Sequence, residues 1–205
     1  MTEQTVYFDI DKTLVDTQKL LQNCRQSLVQ IGVLPENFDR AAKAYLGHLT
    51  SRTEYNPDDF IATVAFYQPE IEMADISAAF WLAQNFAEAL FPEVLTVLTQ
   101  LSAHFTLGIF SQGNKDWQRK KLRKTGLAEF FSSDHLIIAD YKLSPEIVTL
   151  LEENAIVIDD KSEVIQFLKT DGPTGLKPIQ IDRQATSSNA QKIASLSALL
   201  PLLQL

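Results

Sequence analysis

Residues 6–17, VYFDIDKTLVDT, close an apolar run with two aspartates, Asp9 and Asp11, and then Thr13. A run rich in valine, isoleucine and aromatic residues favours a buried strand, where an unpaired carboxylate is costly. Two carboxylates one residue apart also repel, so either one holds a proton or a cation lies between them. Three later sites bear on the same question: Ser111 in IFSQGN, Lys142 in ADYKLSP, and the pair Asp159 and Asp160 in VIDDKS. Singly, most have plain readings. DxDxT can be a turn in which Asp11 and Thr13 cap backbone groups, Ser111 a helix cap before NKDW, and Lys142 a solvated loop lysine. Two adjacent carboxylates after AIVI are harder to dismiss, because they need a metal, a cap role or open solvent.

The elements that must position these residues can be read from apolar periodicity. HFTLGIFS (104–111), HLIIA (135–139), AIVIDD (155–160) and KPIQI (177–181) are short apolar runs that resemble the first and read as strands. Between them PEVLTVLTQLSAH (92–104) and NKDWQRKKLRKTG (114–126) read as helices, the second stopping at Gly126. Alternating strands and helices predict an α/β fold, a doubly wound parallel sheet of Rossmann-like form, with ligands beyond the carboxyl ends of the strands. Every candidate residue falls at such an end.

The stretch from the first strand to the second is far longer than one crossover needs. Its segments TQKLLQNCRQSLVQIG, ENFDRAAKAYLGH, PDDFIATVAFYQ and ADISAAFWLAQNFAEAL all carry helical patterns. Residues 18–89 are therefore expected to form an inserted helical cap, with residues 1–17 and 90–205 forming the core and hinges near Asp16–Gln18 and Ala89–Pro92.

Composition narrows the function. A net charge of −8 over 205 residues argues against nucleic acid and anionic membrane surfaces as partners. Cys24 is the single cysteine, which excludes an intrachain disulfide and suits a cytoplasmic setting. MTEQTVYFD has no signal-peptide pattern, and SALLPLLQL reads as a packed C-terminal segment. The basic run RKKLRK (119–124) reads as a solvated helix face, and Tyr45, Tyr55, Tyr67 and Trp81 as cap packing. His48, His104 and His135 show no metal-ligand spacing.

In order and spacing, DIDKT, Ser111, Lys142 in YKLSPE, and VIDD resemble the four motifs of the haloacid dehalogenase superfamily of aspartate-nucleophile phosphohydrolases. LFPEVLTVLTQLSAHFTLGIFSQGN and QRKKLRKTGLAEFF are similar to that family's elements around its second motif, and the insertion resembles its α-helical cap. The resemblance implies Asp9 as nucleophile, Asp11 as general acid and base, and Ser111 and Lys142 as phosphate-binding groups, with Thr13 and Gln112 beside the substrate. It implies Mg²⁺ held by the Asp9 carboxylate, the Asp11 carbonyl and Asp160, with Asp159 direct or through water. Arg52, in LGHLTSRTEYN, resembles a cap arginine aimed at substrate.

Some positions depart from the pattern. Lys12 stands where many relatives have glycine and Leu143 where proline is frequent, while Val164 and Ile165 replace a later aspartate for which Glu163 is a weak substitute. Dehalogenases of this family lack the second aspartate of the first motif, because a leaving halide needs no proton. The expected activity is thus hydrolysis of a small soluble phosphomonoester. Alternatives are a phosphomutase, a receiver-like signalling domain, which lacks the cap and places its acidic pair early, and a catalytically silent binding relative. Oligomeric state is not encoded in any of these features.

Overall fold

A fully buried strand opens the described part of the chain, residues 4–205 of the computed structural model. Strands are β1 (Thr5–Phe8), β2 (Thr106–Gln112), β3 (Leu136–Ala139), β4 (Ile156–Asp159), β5 (Lys177–Ile181) and β6 (Lys192–Ile193). Helices are α1 (Thr17–Gln30), α2 (Pro35–His48), α3 (Pro57–Tyr67), α4 (Met73–Phe80), α5 (Ala83–Ala87), α6 (Val94–Leu101), α7 (Lys115–Lys124), α8 (Pro145–Val148), α9 (Ser162–Asp171) and α10 (Leu199–Leu202).

These elements form two compact units. One comprises the chain up to Val15, Phe91–Gln112 and Leu127–Leu205; the other comprises Asp16–Leu90 and Gly113–Gly126. The first is an α/β unit on a parallel sheet of order β3-β2-β1-β4-β5-β6. That order is doubly wound, with its switch point between β1 and β4. Burial on both faces explains why the central strands read as continuous apolar runs: TVYF and IVID are buried throughout. Tyr7, Phe110, Val157, Val164 and Leu168 belong to one core cluster of this unit. Tyr7 fits there because Gly108 pairs with it across the sheet, where an added Cβ would lie 2.5 Å from the tyrosine ring. The strand β6 was not foreseen, since two residues carry no periodicity.

The helical unit is held by aromatic rings. Phe60 meets Phe38, Tyr45, Tyr55 and Phe80, and Trp117 meets Tyr55, Trp81 and Phe86, at ring-centroid separations of 5.6 to 6.2 Å. Trp117 lies on α7, so this helix, expected with the core, groups with the helical unit. The basic run on α7 is accordingly not a purely solvated face. Lys121 is buried, Lys120 Nζ lies 3.4 Å from the Trp81 ring centroid, and Lys124 Nζ donates to the Trp81 carbonyl at 3.0 Å.

The last apolar segment of this unit, ADISAAFWLAQNFAEAL, breaks between α4 and α5. Asn85 explains the break, because its side-chain amide donates to the Ala79 and Phe80 carbonyls at 3.0 and 3.1 Å and satisfies the end of α4. Its Oδ1 accepts from Ser27 of α1 at 2.7 Å. Burial pushes the Cys24 thiol up to about 12, so that residue behaves as a small apolar side chain. Among the described residues, no helix is long and apolar enough to cross a membrane.

Candidate active site

The α/β unit gathers its polar residues at the carboxyl ends of β1, β2 and β4. Asp9 follows β1 directly, and its backbone N–H donates to the Ile158 carbonyl of β4 at 2.9 Å, so the sheet ladder fixes where its carboxylate leaves the strand. Ser111, near the end of β2, donates its hydroxyl to Asp9 Oδ1 at 3.0 Å. Lys142, three residues past β3, donates Nζ to the same oxygen at 2.8 Å, to the Phe110 carbonyl at 3.4 Å, and to Asp159 Oδ2. Asp159 ends β4 and also accepts the Lys161 backbone N–H at 2.9 Å. Asp9, Ser111, Lys142 and Asp159 are all buried.

One ammonium is thus shared by two buried carboxylates. Burial alone would lower the affinity of Lys142 for its proton, but the charges of Asp9 and Asp159 outweigh it, so the pKa is raised and the lysine stays charged. Asp159 is nevertheless raised to about 7, first by burial and then by the Asp9 charge, against the pull of Lys142. The two directions agree once charge is counted, because a single ammonium cannot neutralise both neighbours. Asp160 is raised as well, by burial and then by Asp9, with Lys12, Lys161 and Lys142 opposing.

Oxygens of Asp9, Asp159 and Asp160 lie within 4.8 Å of one another. With all three carboxylates ionised, the one buried ammonium leaves a surplus of about two negative charges, and an all-oxygen donor set suits a hard divalent cation. The donor set therefore fits a metal of that kind.

The other expected residues fall around this centre. Asp11 lies in the loop that follows β1, where it bridges to Val15, and its carboxylate is not one of the three clustered above. Thr13 is fully buried, and its hydroxyl finds no hydrogen-bond partner among the described residues. Gln112 is the last residue of β2. Arg52 falls in the one-turn helix Arg52–Glu54 of the helical unit, and its side chain lies outside what the structure describes. Sequence reasoning missed Arg183, which follows β5 and donates Nη2 to the Thr13 carbonyl in the Asp11 loop. A contact across 170 positions leaves no local pattern from which it could have been found.

The family of haloacid dehalogenase-like hydrolases matches residues 6–146, more than half of the chain and three of its four motifs. This chain belongs to that family. It is therefore an enzyme of the hydrolase class, which sets the receiver-like reading aside. A glyceraldehyde 3-phosphate phosphatase of Pyrococcus furiosus is 25% identical over 146 residues, an alignment that spans 68% of this chain and 60% of the relative's length. A haloacid dehalogenase-like hydrolase of Burkholderia xenovorans LB400 shares the fold with a TM-score of 0.70 and 18% identity, covering 98% of this chain and 96% of that one. The HAD-hydrolase YfnB of Bacillus subtilis, solved bound to magnesium, gives a TM-score of 0.62 and 17% identity, with 100% of each chain covered.

Proposed function

We propose that this hydrolase is a Mg²⁺-dependent phosphatase that cleaves a small soluble phosphomonoester through an aspartyl phosphate on Asp9. The observation that carries the reading is the Asp9 carboxylate itself, buried at a strand end and bonded through one oxygen to both Ser111 and Lys142. Those two donors orient the nucleophile before attack and offset charge as the phosphoryl group arrives. Asp9 attacks phosphorus, and Asp11, two residues on, gives a proton to the leaving oxygen. Asp11 then takes a proton from the water that hydrolyses the intermediate, a role that typically contributes roughly 10²- to 10⁴-fold. Ser111 and Lys142, with Thr13 and Gln112 beside them, bind the phosphoryl oxygens in this reading. Asp9, Asp159, Asp160 and the Asp11 carbonyl would hold Mg²⁺, which supplies electrophilic stabilisation of phosphoryl charge when bound.

Asp11 favours a phosphate ester over a haloacid, since a halide leaves without a proton. The named phosphatase relative supports the same choice. Residues 18–89 are assigned as the cap and, with Arg52 in it, are assigned to substrate choice; Arg52→Ala should change relative kcat/KM among metabolite phosphates more than among small aryl phosphates. The deciding experiment is a free-phosphate screen over metabolite phosphates with Mg²⁺ present and after chelation. Release that depends on added Mg²⁺ is expected. Full activity after rigorous chelation, or halide release from haloacids without any phosphate release, would sink the reading.

A further inference from the structure

The loop that carries Asp11 is anchored from outside its own sequence. Internally, the Leu14 and Val15 N–H groups both donate to the Ile10 carbonyl, at 3.0 and 2.9 Å, and the Lys12 N–H donates to the Val15 carbonyl at 2.7 Å. Two further carbonyls of the loop face other segments. Leu14 accepts from the Phe91 N–H at 3.2 Å, and Thr13 accepts from Arg183 Nη2. Arg183 also donates Nη1 to Glu93 Oε1, and its guanidinium carbon lies 3.7 Å from the Phe91 ring centroid. The same Glu93 oxygen accepts the Ser195 hydroxyl at 2.9 Å and the Leu196 N–H at 3.2 Å.

We infer that Arg183 is a positioning residue, which braces the loop through the Thr13 carbonyl and so sets where Asp11 stands. It ties the segment after β5, the Phe91–Glu93 segment and the Asp11 loop together, and Glu93 adds the segment after β6. The pair is well removed from solvent, with side-chain exposures of 19% and 17%. Burial pushes the Glu93 carboxyl up, but hydrogen bonds from Arg183 and Ser195 and the Arg183 charge outweigh it, so Glu93 is held below the usual carboxylate range. Lysine could not replace the fork, because only a planar guanidinium reaches a carboxylate, a carbonyl and a ring face at once.

The functional consequence rests on the phosphatase reading. A general acid matters in proportion to how badly the leaving group needs a proton, and a misplacement of about 1 Å can cost on the order of 10²-fold. Loss of the brace should therefore fall unevenly across substrates.

The test compares the intact chain with Arg183→Lys and Glu93→Gln in two measurements. In the first, kcat is taken over a series from nitrophenyl phosphate to alkyl phosphates with Mg²⁺. Both variants should lose roughly 10- to 100-fold on the alkyl esters but less than about 3-fold on nitrophenyl phosphate, with KM within about twofold. In the second, hydrogen exchange is followed for a peptide covering residues 10–15. Exchange there should be roughly tenfold faster in both variants, while a peptide from β3 is unchanged. Unchanged protection of the loop, or an equal loss on good and poor leaving groups, overturns the inference. If the unaltered chain releases phosphate from no ester, the phosphatase reading fails while the exchange measurement still decides the brace.

Discussion

Lys142 and Lys121 are each 1% exposed, yet the two units bury them in different ways. Lys142 stands between carboxylates delivered by two strands, while Lys121 lies on a helix with its Nζ 5.2 Å from the Trp117 ring centroid. Around Lys121, Lys120 and Lys124 also lie near the Trp81 ring. The α/β unit concentrates opposite charges that remain out of balance, with surplus carboxylate around one cation. The helical unit spreads its cations over ring faces, and Lys120 there also meets the exposed carboxylate of Asp58 at 3.6 Å. A centre out of balance can take up a cation and a substrate anion; a set of lysines over aromatic rings is finished once folded.

The sharpest way to break this comparison is at the centre of the charged cluster. Asp9→Asn should abolish turnover, by roughly 10⁴-fold or more, and leave no covalent phosphate on the protein. Asp11→Asn should still accumulate phosphate on Asp9 from a substrate with a good leaving group. Intact mass after rapid acid quench reads both. Phosphate that persists in Asp9→Asn would remove the charged cluster from the chemistry.

Stability sharpens the contrast between the two kinds of lysine. With divalent metal chelated, Lys142→Met leaves Asp9 and Asp159 buried with no shared cation and should cost about 3–5 kcal/mol. Lys120→Ala removes a cation from the Trp81 face and from an exposed pair with Asp58, and should still cost only about 0.5–1 kcal/mol. Urea unfolding of both variants checks this, and equal losses would mean that the two lysines do the same work.

pH gives the next smaller effect. Asp159 is raised to about 7 in the fold against an ordinary value of 3.8, so the folded state binds that proton more tightly than the unfolded chain. Its contribution to stability is complete below the ordinary value and is lost as pH rises through about 7. Metal-free protein should therefore weaken across that interval, Asp159→Asn should flatten the curve, and added Mg²⁺ should reverse its upper part. Thermal unfolding at a series of pH values measures the slope; an unchanged slope in Asp159→Asn would assign it to other groups.

Much of this centre was legible in the sequence because parallel strands announce their carboxyl ends: the apolar run stops, and the next polar residue is at the site. Asp9, Ser111, Asp159 and Asp160 could each be placed by that rule, and Lys142 lies three residues beyond such an end. What stayed hidden was pairing across distance. Arg183 meets Thr13 across 170 positions, and its own surroundings read as an ordinary loop. The placement of α7 was hidden for a related reason, since RKKLRK carries the composition of a solvated face and only the ring of Trp81, far back in the chain, turns it into packing. Asn85 shows the same limit at short range. Its period fits a continuous helix, and only its side-chain bonds to Ala79 and Phe80 reveal the break.

The smallest expected effect concerns backbone strain, where the units differ again. In the helical unit the positions of positive φ among the described residues are all glycine, namely Gly32, Gly113 and Gly126. The α/β unit places Lys12 at φ 62, in the loop between Asp11 and Thr13. A side chain in that conformation costs roughly 1 kcal/mol that glycine would not incur. Lys12 is exposed, and its charge is among those that oppose the rise of Asp160. Two substitutions separate the contributions. Lys12→Met keeps the strain and removes the charge, so it should raise KM for a phosphomonoester by roughly twofold to fivefold with no gain in stability. Lys12→Gly removes both, so it should raise KM equally while increasing stability by about 1 kcal/mol. Calorimetry and steady-state kinetics on the pair read the two effects separately. If Lys12→Gly is no more stable than Lys12→Met, the left-handed residue carries no strain; if neither changes KM, its charge does not reach the substrate.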